Sequence, residues 1–408
     1  MRTQINGSYL GLKGNALVMT FTETIGQGVL YLTSAFWSLY VLELGASLAM
    51  VGLLGFIQGL IRVFLQAPVG YLTDKKGHKR LVVWGGFIAS FAPFVYLFAN
   101  NWVYLIPGVI LEAFTNVVLP ARQAMFAFAI DPDKRATAFA AIHTFFAVAS
   151  SVLPVVGGYM LEWMGLIPGM RLAFLLSGIV MLVASAGRAL YLREDFVKGD
   201  VPYEEFSFKR VMVDIFEPIL TLKALKIALL GAFLFSMAAG ILTRYSVVYA
   251  VDIIGLSKVE WGLVAGGMGV VGILTRIPIG RMIDRFSRKM CIFLSYATRP
   301  VVILAFAQST TFLQVLITQM LDNVFGYIQQ PALEAFVVDV APTAGMGRAY
   351  GALSMIPGIS LTVSPMIGAF IWESAGAPWA FYASASFIAV AAAIILVRLQ
   401  EPKKEASS

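Results

Sequence analysis

Gly70-Tyr71-Leu72-Thr73-Asp74-Lys75-Lys76-Gly77-His78-Lys79-Arg80 is a short polar island between two apolar runs, 47–69 and 81–99. Each flanking run has about the 20 residues a helix needs to cross the hydrocarbon core of a bilayer. The island therefore reads as a tight loop at a membrane surface, joining two spanning helices. Gly70 allows close helix packing, and Gly77 suits a turn with positive φ. Asp74 stands at a helix end among cations. There it can pair with Lys75 or Arg80, or cap the N-terminus of a neighbouring helix.

Working outward, about twelve such runs cover the chain: 14–42, 47–69, 81–99, 102–126, 136–162, 170–192, 224–251, 259–280, 289–307, 311–337, 347–372 and 378–398. The composition agrees, since 59% of the 408 residues are hydrophobic and 13% are charged, about half the charge of a soluble chain. Of the 30 Lys and Arg, 22 fall in the termini and alternate loops of one side, among them Lys75, Lys79, Arg80, Arg281, Arg285 and Arg398. The opposite loops hold Arg171 and Lys258. This is the positive-inside pattern, and it places both termini in the cytoplasm of a multi-pass protein of the inner membrane. Residues 1–13 are short and polar with no small-residue cleavage site, so the first run reads as a retained helix and not a signal peptide.

The chain repeats itself. At an offset of 210 residues, Pro68, Gly70, Asp74 and Lys79 fall on Pro278, Gly280, Asp284 and Lys289, and Gly45 falls on Gly255. At an offset of 211, Pro120 and Ala121 fall on Pro331 and Ala332, and Pro154 and Gly157 fall on Pro365 and Gly368. A two-fold repeat of this size marks a transporter built from duplicated bundles, with its solute site at their interface. The polar stretch 193–223 then reads as a cytoplasmic linker between halves 1–192 and 224–408, and its part from Phe208 to Leu222 suits an interfacial helix interrupted by Pro218.

The island closely resembles the signature loop of the major facilitator superfamily, which runs Gly, any, Leu, any, Asp, basic, any, Gly, basic, basic. The second copy, Gly280 to Lys289, is degenerate, with Met282 for Leu and Ser287 for Gly. The resemblance implies an all-α fold of twelve transmembrane helices in two pseudo-symmetric six-helix bundles. It also implies that Gly70, Asp74, Lys75, Gly77, Lys79, Arg80, Gly280, Asp284 and Arg285 act as a gating latch on the cytoplasmic face. The plain alternative is a topology signal that contains an Asp. Leu153-Pro154-Val155-Val156-Gly157-Gly158, with Pro365 and Gly368 in the repeat, partly resembles the helix-packing motif of the drug–proton antiporter branch, although Leu153 stands where that motif has Gly.

An ionisable residue in mid-span normally faces a cavity or a partner. The resemblance implies that spans one, four, seven and ten line the cavity, and they carry Glu23, Glu112, Arg244 and Asp322. Helical spacing gathers further polar residues beside them: Gln27, Tyr31, Ser34 and Ser38 in span one, Asn116 and Gln123 in span four, and Gln319, Asn323 and Gln330 in span ten. Span two adds Gln58, Arg62 and Gln66. Glu23, Glu112 and Asp322 are the candidates for proton coupling. Glu23 can instead pair with Arg62, and Arg244 can neutralise Asp322 or hold an anionic solute group. Arg122 and Glu334 read as gate or loop-network residues, Arg276 and Arg299 as structural pairs or snorkelling cations, and His143 as a helix-end hydrogen-bonding group or pH sensor.

No phosphate-binding loop, nucleophile elbow or zinc-helix motif is present, and the chain has two histidines and one cysteine, Cys291. The sequence thus points away from an enzyme, a metal site, any cofactor and nucleic-acid binding. It points to a monomeric secondary transporter working by alternating access, with protons, a small solute and membrane lipids as partners. Proton-coupled efflux of lipophilic or cationic compounds is the first expectation. Uptake or exchange of an anionic metabolite, favoured by Arg62, Arg244 and Arg299, and a non-transporting receptor on the same fold are the rivals.

Overall fold

The computed structural model describes residues 14–76, 78–119, 121–122, 125, 135–193, 222–341 and 346–400, nearly all of them helical. We label the helices α1 (Gly14–Gly28), α2 (Tyr31–Ser34), α3 (Trp37–Glu43), α4 (Leu48–Lys76), α5 (His78–Ser90), α6 (Ala92–Leu97), α7 (Leu105–Val117), α8 (Arg135–Met164) and α9 (Leu166–Tyr191). The series continues with α10 (Lys223–Val248), α11 (Lys258–Arg285), α12 (Arg288–Ala307), α13 (Phe312–Val340), α14 (Met346–Ala375) and α15 (Ala377–Arg398). Each of the twelve sequence spans coincides with described helix. Among the described residues, nine helices are long and apolar enough to cross a bilayer, or ten if the bent first span is one. Of the other two spans, α7 is short within the described residues, and α13 runs 29 residues but carries Asp322, Glu334 and Asp339. Of the linker expected at 193–223, all but Arg193, Leu222 and Lys223 lies outside the described residues.

Lipid explains why these segments are helices, because only internal hydrogen bonds satisfy the backbone there. It also explains the outer surface, where Trp163, Phe98, Phe370 and Val397 are 89%, 75%, 71% and 75% exposed. Hydroxyls are satisfied locally. Thr20, Thr243, Thr318, Thr362 and Ser384 donate to the carbonyl four residues back.

The chain divides into two compact units. The first takes Met1–Ser47, Ile57–Phe206 and Ser257–Gly269, and the second takes Leu48–Phe56, Ser207–Leu256 and Val270–Ser408. Each unit therefore borrows the start of one helix from the other half of the sequence.

Within the first unit, α1 packs against α9 and α2 against α8. Asn15 ties the ends of that helical set together, since its side chain donates to the Arg193 carbonyl and accepts from the Arg193 N–H, both at 2.8 Å. The first span is bent by 51° ahead of α3. Around the bend the bonds tighten to three-residue spacing, as in Thr33 N–H to Leu30 and Phe36 N–H to Thr33. The indole N–H of Trp261 donates to the Ala35 carbonyl at this break at 2.8 Å. The start of α11 lies against α8, where a side chain on Gly158 would meet the Lys258 carbonyl and one on Gly262 would meet the Pro154 carbonyl, each at 2.6 Å.

The second unit repeats the theme. A side chain on Gly52 of α4 would meet the Pro365 carbonyl of α14 at 3.0 Å, and the Tyr245 hydroxyl donates to that same carbonyl at 2.6 Å. The helix starts are capped alike. Lys258 N–H donates to Glu162 at 3.0 Å, and Ala49 N–H donates to Glu373 at 3.1 Å. The glycines that end the first and seventh spans, Gly45 and Gly255, have φ of +82° and +87°, the left-handed turn that favours a residue without Cβ.

Candidate transport site

Glu23 is the centre of a buried charge network in the first unit. Its carboxylate accepts from Arg122 Nη1 at 2.7 Å and lies 3.3 Å from Arg188 Nη1. Arg122 also donates to the Thr115 carbonyl at 2.8 Å, and Arg188 donates to the side chain and carbonyl of Thr22, each at 3.1 Å. Burial sets the partners: Glu23 is 2% exposed, Arg188 4% and Arg122 8%, and a charge so far from water must be matched by another. The sequence alternatives are corrected at two points. Glu23 pairs with Arg122 and Arg188 and not with Arg62, which sits half-buried on α4. Arg122, placed with the gating group from its position near a helix end, joins this network instead.

Glu112 on α7 accepts the Tyr96 hydroxyl at 2.7 Å. Tyr96 is 3% exposed and its ring packs on Trp37 and Phe174, with centroids 4.7 and 5.2 Å apart. Gly108, one turn before Glu112, makes room for it, because a Cβ there would run into the Tyr96 ring.

In the second unit Asp322 on α13 accepts two bonds from Arg299 of α12, Nε at 2.7 Å and Nη2 at 2.6 Å. The Arg299 guanidinium also lies 4.5 Å over the Phe235 ring. This corrects the alternative in which Arg244 neutralises Asp322. Arg244 instead packs where a Cβ on Gly55 would lie 3.4 Å from its Nε. Glu112 and Asp322 stand 210 residues apart, the offset of the loop repeat, and each takes its partner from the preceding span.

Among the remaining candidates, Gln27 lines a narrow pocket with Thr115, Arg122, Ser185 and Arg188. Tyr31 and Gln58 are half-buried and Ser34 is exposed. Gln319 is buried, Asn323 Oδ1 is buried without a hydrogen bond, and Gln330 donates to Glu334 at 2.6 Å. Arg276 lies 5.4 Å over the Tyr327 ring. Gly157 and Gly368 bring helices close: a side chain on Gly157 would strike the Leu32 carbonyl, and one on Gly368 would meet Ile241 at 2.9 Å.

The side chains of Gly70, Asp74, Lys75, Gly77, Asn116, Gln123 and His143 lie outside the described residues. Lys79 is half-buried, and Arg80, Asp284 and Arg285 are exposed. In the second loop the departure Ser287 has a local role: its Oγ accepts the Met290 N–H at 3.1 Å and caps α12. Among the described residues no group of three or more His, Cys, Asp or Glu is arranged to hold a metal ion.

The family profile of the Major Facilitator Superfamily matches residues 16–297 and 249–408. The chain belongs to the Major Facilitator Superfamily. It is a multi-pass membrane transporter of small solutes and not an enzyme. Superfamily relatives include the uncharacterized MFS-type transporter YhjO of Bacillus subtilis, 23% identical with 86% of this chain and 84% of that one covered. The multi-drug resistance efflux pump PmrA homolog of Lactococcus lactis is 22% identical over 83% of this chain and 84% of its own. Among solved structures, a bacterial homolog of the human lysosomal transporter Spinster, inward-facing and unoccupied, shares the fold with a TM-score of 0.75 at 15% identity, covering 94% of this chain and 96% of its own.

Proposed function

We propose that this transporter exports lipophilic or cationic small molecules in exchange for protons. It works by alternating access of halves 1–192 and 224–408, as a monomer in the inner membrane with both termini in the cytoplasm. The observation that carries the coupling is the Tyr96 hydroxyl bonded to Glu112. A guanidinium can only donate, so protonating Glu23 or Asp322 breaks the ion pair and leaves the new acid O–H facing a donor. The Tyr96 hydroxyl can donate to a carboxylate or turn and accept from a carboxylic acid. Glu112 can therefore take up and release a proton without losing this partner, while Glu23 and Asp322 act as charge locks. The efflux reading is supported by the Lactococcus relative, a multi-drug resistance efflux pump homolog, and by the partial antiporter motif around Pro154. The exposed apolar belt and the basic loops suit contact with lipid tails and anionic headgroups.

A second reading, exchange of an anionic metabolite, is favoured by the two arginines gathered on the single carboxylate of Glu23.

Proteoliposomes under an imposed pH gradient test both. Lipophilic cations should drive proton movement in the wild type, and Glu112→Gln should abolish it while Glu112→Asp keeps part of it. Unchanged coupled flux in Glu112→Gln would remove Glu112 from the coupling role. Movement triggered by carboxylates alone would favour the second reading.

A further inference from the structure

The pocket beside Glu23 lies wholly within the first unit, among α1, α5, the fourth span and α9. Gln27, Thr115, Arg122, Ser185 and Arg188 supply its polar lining, with Gly26 and Gly86 at its walls. A Cβ on Gly86 would stand 3.0 Å from both Arg188 Nη1 and Ser185 Oγ, and one on Gly26 would stand 3.3 Å from Arg188 Nη2. Both glycines keep this space open. Two cations and one carboxylate meet here, and among the described residues Glu23 is the one carboxylate within 4.0 Å of either guanidinium. One positive charge is thus left over where Arg122 and Arg188 are 8% and 4% exposed.

Hydrogen bonding leaves further groups unmet beside this surplus, among them the acceptor Glu23 Oε1. Arg122 Nε–H and the Thr115 hydroxyl are buried without a protein partner, although Arg122 and Thr115 are each 8% exposed and both line the pocket. Water can accept from these two donors, but it cannot balance a surplus cation away from solvent. An acceptor that carries negative charge does both.

We propose that this pocket binds a small monovalent inorganic anion of chloride size, held by Arg122, Thr115 and Arg188. The anion neutralises the second arginine and so stabilises the packing of α1 against α9. The site is independent of which solute is exported, and its test needs no transport.

The test is thermal unfolding of the purified full-length protein in detergent, titrated with sodium chloride against sodium gluconate at constant ionic strength. Chloride should raise the wild-type midpoint saturably by a few degrees, as expected of a ligand that binds only the folded state. Arg188→Met removes the surplus charge, and its apparent chloride affinity should fall at least about tenfold. Thr115→Val, a nearly isosteric change, serves if Arg188→Met does not fold, and it should weaken chloride severalfold. Glu23→Gln leaves two arginines without a carboxylate and should bind chloride more tightly than the wild type. Equal midpoints in chloride and gluconate would mean that water suffices and would overturn the proposal. An undiminished chloride response in the tested variants, Arg188→Met or Thr115→Val, would overturn it as well.

Discussion

Removing one partner of the Arg299–Asp322 pair should cost far more than removing both. Two short bonds, 2.7 and 2.6 Å, join these groups, and the side chains of Arg299 and Asp322 are 6% and 18% exposed. Arg299→Met strands a carboxylate inside the span, and Asp322→Asn strands a guanidinium beside a neutral amide. Each should lose about 3 kcal/mol, the low end of the range for breaking a buried pair, because Asp322 keeps some solvent contact. The double variant Arg299→Met/Asp322→Asn has no stranded charge and should lose about 1–2 kcal/mol. The resulting coupling energy is about 4–5 kcal/mol, well above the scatter of independent sites. Equilibrium unfolding in mixed micelles across the four proteins measures it. Additive losses, with coupling under about 0.5 kcal/mol, would refute the assignment of a charge-locked pair. Phe235→Leu should remove a further ~0.5–2 kcal/mol through the lost cation–π contact, but only while Arg299 is present.

Other residues give equally direct outcomes. Gly108→Ala pushes a methyl into the Tyr96 ring and should destabilise by about 1–3 kcal/mol, and the proton flux proposed to run through Glu112 should fall with it. Gly45→Ala and Gly255→Ala place a side chain at φ of +82° and +87°, so each should lower the unfolding free energy by about 1–2 kcal/mol. Glu162→Ala and Glu373→Ala remove the caps on Lys258 and Ala49 and should each cost about 0.5–1 kcal/mol. A loss confined to one of the two would break the symmetry of the caps. Ser287→Ala deletes the α12 cap and should cost about 1 kcal/mol in the same assay, whereas Ser287→Gly should cost only a few tenths.

The spans were legible because lipid imposes a length and a composition that single residues cannot hide. The repeat was legible because backbone demands recur: the left-handed turns at Gly45 and Gly255 and the close approaches at Gly157 and Gly368 admit few residue types. The charge partners were not legible. Arg122 and Arg188 lie 99 and 165 residues from Glu23 in sequence, and periodicity places a side chain on a face without saying which helix that face meets. Tyr96 was missed for the same reason, since a tyrosine near a helix end looks like an interfacial anchor until Glu112 is seen across from it. One signal was available, the 210-residue spacing of Glu112 and Asp322, which matched the loop repeat already found.

That spacing also shows what duplication preserved and what it released. In the register that sets Pro120 on Pro331, Glu112 falls on Asn323, next to Asp322, and in both halves the preceding span supplies the donor. The donors themselves are not repeat-related. Position 306, equivalent to Tyr96, is Phe, and position 89, equivalent to Arg299, is Ala. Helix packing was therefore kept under the two-fold relation, while the chemistry facing each acid diverged. One acid faces a hydroxyl that can serve either protonation state, and the other faces a cation whose ion pair needs the carboxylate. A symmetric pair of proton sites would have no reason to differ in this way. Under the coupling proposed above, Glu112 is the acid that exchanges its proton and Asp322 is the one held as a fixed charge by Arg299.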